Sequence, residues 1–342
     1  MAITVTYSDE FLTSTMLARL KWLRKMQDVP YHVTEMVMRT ADQEAGGNRI
    51  LIPWDVRRHS NTTQHTTGYE DIDLTLRQML TPGIDDWGWW VSPIGFSWVD
   101  EAKNRSKHQV IKLIETRTDD TKKRKEREVE TQILRATQAT MSDMNSWNGD
   151  DDANGFIESA ATGTQSNVVH GVSKLTYATL PQFQNQSVDY GGAFGTTGIP
   201  LLIRGHNRVR QITDETTKLE GFASYQFAEN YLRTTQNQQR YGSEARDAVG
   251  LDLLINGIKY KQSQLMPNNG VATSVTNKEW SHLVVDSAVI KFVAQQGLKM
   301  NMMGFRDLTG ARLVKVALLQ LAGQNVCHAW GSSLVGIGGD TF

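Results

Sequence analysis

The spacing of hydrophobic and polar positions changes several times along this chain, and each change marks an expected element. Near the N-terminus, Leu12, Met16, Leu20 and Leu23 recur every three or four residues, with Phe11 and Trp22 flanking them. Ser8 or Asp9 can cap such an amphipathic helix, and Pro30 stops it. The following YHVTEMVMRTADQEAGG fits either extended chain or a short helix. From Gly46-Gly47 the period falls to two. RILIPWDVR reads as a strand, HSNTTQHTTG as a polar tip, and YEDIDLTLRQM as the return, with Ile72, Leu74 and Leu76 alternating against polar residues. A long two-stranded tongue is expected. An isolated hairpin is marginal in water, so it must lean on its own body or on another subunit. Trp87, Trp89, Trp90 and Trp98 crowd its base and read as a buried anchor ahead of a ligand platform.

Between His108 and Met141 there is no Pro and no Gly, which predicts a long helix of about 45–50 Å. Val110, Ile114, Val129, Ile133 and Ala136 form a narrow apolar stripe. TDDTKKRKEREVE interrupts it, with opposite charges three and four apart, as on a solvated helix lying along a surface. Residues 144–200 read as loops, expected at contacts or at a local axis. LLIRGHNRVRQIT reads as a short helix interrupted by Gly205, and SYQFAENYLRTTQNQQRYG as a better one with Phe227, Tyr231 and Leu232 inward. The remainder returns to strands: LDLLINGIKYKQ, SHLVVDSAVIKFVA and RLVKVALLQLAGQNVCHAW.

Composition narrows the function. A net charge of −1 over 342 residues advertises no polyanion-binding field. The single cysteine, Cys327, excludes an internal disulfide and fits a reducing compartment. No run of about 18 apolar residues occurs, so the chain is expected to be soluble, not exported and away from membranes. Nucleophile-elbow, HExxH, Walker and dinucleotide-binding motifs are all missing. The eight histidines are scattered, and Cys327 and His328 would face opposite sides of a strand. Asp150, Asp151 and Asp152 match a calcium loop only in part, without the regular ligand spacing or the distal Glu. No catalytic residue, metal or cofactor is expected, and the chain is not expected to be an enzyme. A nucleic-acid reading has Arg57-Arg58 and the basic run at 122–125, and the latter alternates with acid, as on a solvated face.

The order of arm, long tongue, long helix, loop-rich α/β body and late strands resembles the major capsid (coat) proteins of tailed bacteriophages, the Hong Kong 97 type of fold. GGNRILIPW with HTTGYEDIDL resembles the opening and return of their extended loop, and WVSPIGFSWVDEAKN its last strand leading into the spine helix. YGGAF, INGIKYKQ, MPNN, SHLVVDSAVIKFV and ALLQLAGQNVCHAWGSSLVG follow in the order seen in such proteins. The resemblance implies an α+β fold divided into an N-terminal arm (1–45), extended β-hairpin loop (46–105), spine helix of the peripheral domain (106–147), axial domain (148–273), long peripheral strands (274–325) and C-terminal strand or tail (326–342). It further implies self-assembly into pentamers and hexamers of an icosahedral shell around phage double-stranded DNA. The DNA would be contacted without sequence preference. Expected partners are further copies, a scaffolding protein, a portal and a cement or decoration protein. Assembly is expected in the bacterial host cytoplasm and the final location in the virion.

Some members of that family join subunits through a lysine of the extended loop. Here no Lys lies between Met26 and Ala102, so covalent cross-linking of subunits is not expected. Only 45 residues precede Gly46, so scaffolding is expected either from a separate protein or from a segment removed from this chain. Intersubunit contact is expected at Leu12, Leu20 and Trp22 on the arm, and at Arg57, Arg58, His59, Glu70 and Asp71 on the tongue. Lys122, Arg124 and Glu128 on the spine are expected as partners for a neighbour's tongue. An encapsulin-type compartment shell is the alternative; an enzyme ranks below both.

Overall fold

The computed structural model describes residues 30–55, 80–99, 113–134, 144–150, 152, 154–159, 165–191, 194–195, 197–213, 218–236, 252–266, 280–307 and 314–338. The described residues form a mixed α/β body with four α-helices and two larger sheets. The ambiguous stretch after Pro30 resolves into a helix, α1 (His32–Arg39), that buries Val33, Met36 and Val37, followed by a short strand, β1 (Asp42–Glu44). The tongue begins as expected. Strand β2 (Ile50–Asp55) pairs antiparallel with β3 (Leu80–Asp85), and their alternation sends Ile50, Ile52 and Trp54 inward. Pro53 faces Pro82 across this ribbon. The neighbouring Ile84 N–H points outward to the His170 carbonyl at 2.9 Å, so residues at alternate positions here aim their nitrogen away from the ladder, and proline costs no rung.

Strand β4 (Gly88–Ser97) turns away from the tongue and runs antiparallel to β14 (Val314–Cys327), from Gly88 opposite Gly323 to Ser97 opposite Val314. Strands β12 (Ile290–Gln295) and β13 (Asn301–Asp307) also pair with β14, and β1 adds parallel to β12. These five strands are the first sheet. The long helix α2 (Leu113–Leu134) lies against β4 and α1. It spans 22 described residues, about 33 Å. Val129, Ile133 and Leu134 anchor its end in the core. The interruption in its apolar stripe is not simply a solvated face, because Thr118, Lys125 and Glu130 are buried there.

The second sheet has the order β7-β15-β11-β8-β10-β9, with β7 (Gln186–Asp189), β8 (Leu219–Ala223), β9 (Asp252–Ile255), β10 (Ile258–Gln262), β11 (Trp280–Asp286) and β15 (Leu334–Ile337). Asn256-Gly257 closes the β9–β10 hairpin with both residues at positive φ, +50° and +76°, the backbone that an Asn-Gly pair accommodates. Helices α3 (Gly198–Ile212) and α4 (Tyr225–Gln236) join this sheet in a second core around Phe194, Leu202, Phe227 and Tyr260. Gly205 does not interrupt α3, as its sequence suggests. A Cβ there would lie 2.8 Å from Val188 Cγ2 and 3.0 Å from Leu334, so its hydrogen permits the close approach of helix and sheet.

The stretch SHLVVDSAVIKFVA reads as one strand but is two, in different sheets. Asp286 breaks it: its carboxylate accepts from the Ala288 N–H at 2.9 Å and its carbonyl from Val289 N–H, forming a turn, after which the chain enters the first sheet as β12. Strands β14 and β15 make the same crossing through Trp330–Ser332. Both crossings connect neighbouring strands, because β12 pairs β14 and β11 pairs β15, with the His328 N–H donating to the Val289 carbonyl between them. A double strap therefore joins the sheets.

Candidate assembly surfaces and a buried polar centre

Much of residues 144–159 packs into the chain's own core. The Trp147 N–H and the Ser146 hydroxyl both donate to the Ile133 carbonyl, at 2.8 and 3.0 Å, and Asn148 Nδ2 reaches the Leu134 carbonyl at 3.1 Å. They hold this loop against the last described turn of α2. Asp150 also has a protein role. Its carboxylate accepts from Trp280 Nε1 at 2.7 Å and from the Ser159 N–H at 2.8 Å. Among the described residues, no group of three or more His, Cys, Asp or Glu could hold a metal ion.

Glu130 is the strongest link that sequence reasoning missed. Its Oε2 accepts from the N–H groups of Val33 and Thr34, at 3.1 and 3.2 Å, and its Oε1 from the Ser263 hydroxyl at 2.5 Å. One carboxylate thus caps the N-terminus of α1, where the helix end favours negative charge, and ties it to the chain after β10. Burial nevertheless pushes the Glu130 carboxyl above the ordinary carboxylate range, against those three donors. Nothing in the sequence singles it out from the neighbouring glutamates, since the partners lie 97 and 133 residues away.

A second buried centre lies among the loops. Lys174 is fully enclosed, and its Nζ lies 2.6 Å from the Phe156 carbonyl, 3.1 Å from Asn185 Oδ1 and 3.4 Å from both Gln165 Oε1 and Glu158 Oε1. The Glu158 carboxylate also accepts from the N–H groups of Ser166 and Asn167, at 3.0 and 2.9 Å. Burial brings the Lys174 amine down to about 8, with Glu158 opposing the shift. His170, at φ +52°, pairs through Nδ1 with Asp85 of the tongue base, and its Nε2 accepts from the Cys327 N–H at 3.1 Å. Trp54 then meets Trp330 edge-on with ring centroids 5.4 Å apart, so the root of the tongue is fixed in the body.

The outer surfaces are less complete. The tryptophan group does not form a single buried anchor: Trp87 is buried and its Nε1 donates to the Gly47 carbonyl at 3.1 Å, Trp90 is half-buried, and Trp89 and Trp98 are 55% and 57% exposed. The cause is strand alternation along β4, which sends Trp90, Ile94 and Phe96 inward and Trp89 and Val91 outward. The tongue root shows the same pattern. Leu51 and Ile84 face each other on its outer side, 67% and 42% exposed, and Leu80 is 56% exposed. These apolar faces are uncovered by the described chain. A groove of about 680 Å³ opens between α1, α2 and the β12–β13 turn, lined by Tyr31, Met38, Lys122, Lys123, Lys299 and Met300.

Of the residues expected at subunit contacts, only three are described. Lys122 is exposed in this groove. Arg124 and Glu128 are exposed one turn apart and pair with each other at 3.3 Å, and Glu128 also meets the buried Lys125 at 3.2 Å. Leu12, Leu20, Trp22, Arg57, Arg58, His59, Glu70 and Asp71 lie outside the described residues.

No family model matches the sequence, and no curated protein matches it. The structure, however, is similar to solved shells. A chain of the cyanophage A-1(L) capsid asymmetric unit superposes with a TM-score of 0.61 over 92% of this chain and 93% of that one, at 10% identity. The fold is that of tailed-phage capsid proteins. A chain from the capsid of cyanophage P-SCSP1u shares this capsid fold, with a TM-score of 0.51 and 15% identity over 88% of this chain and 86% of that one. So does a chain of the holo-SrpI encapsulin complex from Synechococcus elongatus PCC 7942, with a TM-score of 0.53 and 11% identity over 98% and 96%. Among the described residues of the capsid fold, no helix is long and apolar enough to cross a membrane.

Proposed function

We propose that this chain is a major capsid protein of Hong Kong 97 type, a structural subunit that assembles with copies of itself into pentamers and hexamers of a phage head enclosing double-stranded DNA. The observation that carries this reading is similarity to a cyanophage capsid chain over more than nine-tenths of both chains. In this proposal the first sheet and α2 are the peripheral domain, and the second sheet with α3 and α4 is the axial domain. Subunits are held without covalent cross-links. The outward faces of β2–β3 and β4 support this, because each leaves large apolar side chains in water on a single chain and buries them when a second copy lies across it. The arm and tongue residues Leu12, Leu20, Trp22, Arg57, Arg58, His59, Glu70 and Asp71 engage neighbours. On the spine, Lys122, Arg124 and Glu128 present charge to a neighbour's tongue. A scaffold, portal and cement protein complete the head in the bacterial cytoplasm before it becomes the virion.

A second reading is an encapsulin-type compartment, supported by the similarity to the encapsulin chain over nearly the whole length of both. Negative-stain microscopy and light scattering of the protein produced alone and with a scaffold test both readings. Closed shells or rings of five and six are expected. A protein that stays monomeric at high concentration with any scaffold supplied overturns both. Shells that package a folded cargo enzyme, and never nucleic acid when produced in the presence of a terminase and portal, favour the compartment.

A further inference from the structure

We propose that the exposed side of α3 is a phosphate track that binds the backbone of duplex nucleic acid through Arg204 and Arg208. The occupant, enclosed double-stranded DNA, rests on the proposed capsid function. The net charge of −1 over the whole chain conceals a local imbalance. Helix α3 carries Arg204, Arg208 and Arg210 and no Asp or Glu. The other three α-helices of the described residues balance. Helix α2 sets six basic residues against six acidic, α1 sets Arg39 against Glu35, and α4 sets Arg233 against Glu229. Arg49 and Arg233, exposed elsewhere, are answered by Asp86 at 2.8 Å and Glu229 at 3.1 Å. Among the described residues no ion pair answers Arg204 or Arg208.

The two arginines stand on a fixed platform. With each residue turning the helix by about 100°, Pro200, Arg204, Asn207, Arg208 and Gln211 share one side, and all are exposed. Leu202, Gly205, His206 and Val209 share the other side and are buried. Gly205 lets that buried side sit directly against Val188 of β7 and Leu334 of β15. Arg210, on the flank, donates to the Asn256 carbonyl and ties the end of α3 to the β9–β10 turn. Arg204 and Arg208 are one turn apart, about 6 Å along the helix axis. Phosphates of one strand recur every about 3.4 Å along a duplex, so both guanidinium groups reach the same strand. Each guanidinium offers paired N–H donors that match phosphate oxygens. The amides of Asn207 and Gln211 add neutral donors beside them. Such contacts position a duplex without reading its bases.

Fluorescence anisotropy of a labelled mixed-sequence duplex, titrated with the full chain at several salt concentrations, tests this. Wild type should bind at low salt, with log K falling linearly as log salt rises. Arg204→Gln with Arg208→Gln should reduce that slope by about 2 and weaken binding at about 50 mM salt at least about tenfold. Arg204→Lys with Arg208→Lys keeps the charge and should keep the slope. Arg49→Gln with Arg233→Gln removes the same charge from arginines already paired to carboxylates, and should leave slope and affinity unchanged. An equal loss in that control overturns the proposal, because net charge alone then drives binding. So does a wild-type chain that binds no duplex at low salt, or a slope that the α3 pair does not alter. Poly-glutamate that displaces the labelled duplex as well as unlabelled duplex does overturns nucleic acid as the occupant. Light scattering on the same samples separates this proposal from the capsid function. An α3 double variant that forms shells but binds duplex like wild type removes the track and leaves the shell. A chain that binds duplex through these arginines, yet never assembles with any scaffold supplied, keeps the track and removes the shell.

Discussion

Replacing Glu130 by alanine should unlock α1 from the body of the protein. Three buried donors lose their acceptor: the N–H groups of Val33 and Thr34 and the hydroxyl of Ser263. A buried donor without a partner costs about 1–3 kcal/mol, so the three together cost about 3–9 kcal/mol. Removing the carboxylate offsets part of this. Its charge is held in a site where burial already pushes its titration upward, and water can enter the space left behind. A net loss of about 2–5 kcal/mol follows, large beside the usual stability of a domain. Glu130→Gln keeps one acceptor oxygen and should lose about half as much. Denaturant unfolding gives the total, and hydrogen exchange read by mass spectrometry locates it. Helix α1 is only eight residues long and has little stability of its own. Its amides should therefore exchange at least about tenfold faster in the alanine variant, while those of the second sheet change little. Unfolding within about 0.5 kcal/mol of wild type, with α1 exchange unchanged, would refute the capping argument.

Acid should destabilise the second core first. His206 is buried with its Nε2 2.6 Å from Tyr260 Oη, and burial with nearby Arg210 lowers its titration to about 4; burial also lowers that of His282. Both folded values lie below the unfolded one near 6.5, so the stability they contribute is complete above about pH 6.5 and falls as pH drops. His206 alone removes about 3 kcal/mol by about pH 4, a loss that His206→Gln should reduce in thermal melts across this range. Gly205→Val should destabilise by about 2 kcal/mol or more, since its Cβ meets Val188 and Leu334, and a melting temperature equal to wild type would contradict the close-approach argument. Leu51→Ser combined with Ile84→Ser should leave the isolated chain within about 1 kcal/mol of wild type but weaken assembly; light scattering that shows normal shells would remove the tongue root from the contact surface.

The sequence made the periodic parts of the fold legible. The alternation in ILIPWD gives β2 its inward Ile50, Ile52 and Trp54, and the Asn256-Gly257 pair marks the β9–β10 hairpin directly. Reading failed where tertiary contact overrides a local rule. Gly205 looks like an interruption, yet a missing side chain is what the crossing of α3 over β7 and β15 requires. In SHLVVDSAVIKFVA the polar pair Asp286-Ser287 separates two apolar runs, but nothing in either run says that they belong to different sheets. The buried polar centre is the least legible part. Lys174, Asn185 and Glu158 are common residues in loop-like text, and only the fold reveals that they share one enclosed space. The outward Trp89 follows from alternation, but the clustering of the tryptophans in the sequence invites a single buried anchor.

The double strap between the sheets has a mechanical consequence. A body whose halves are joined by one linker can hinge about it, and tension on either half falls on a single strand. Here, besides the longer connection from β4 through α2 to β7, the chain crosses twice side by side, with these two crossings hydrogen-bonded to each other through His328 and Val289. A pull that separates the sheets is shared by two covalent paths in parallel. Each continues into a ladder, β12 on β14 and β11 on β15, where it loads several rungs in shear at once. Twisting one sheet must twist the other, since two parallel crossings resist the rotation that one would allow. In the proposed shell, a wall one molecule thick, this would make each subunit a stiff plate and leave bending to the seams between plates.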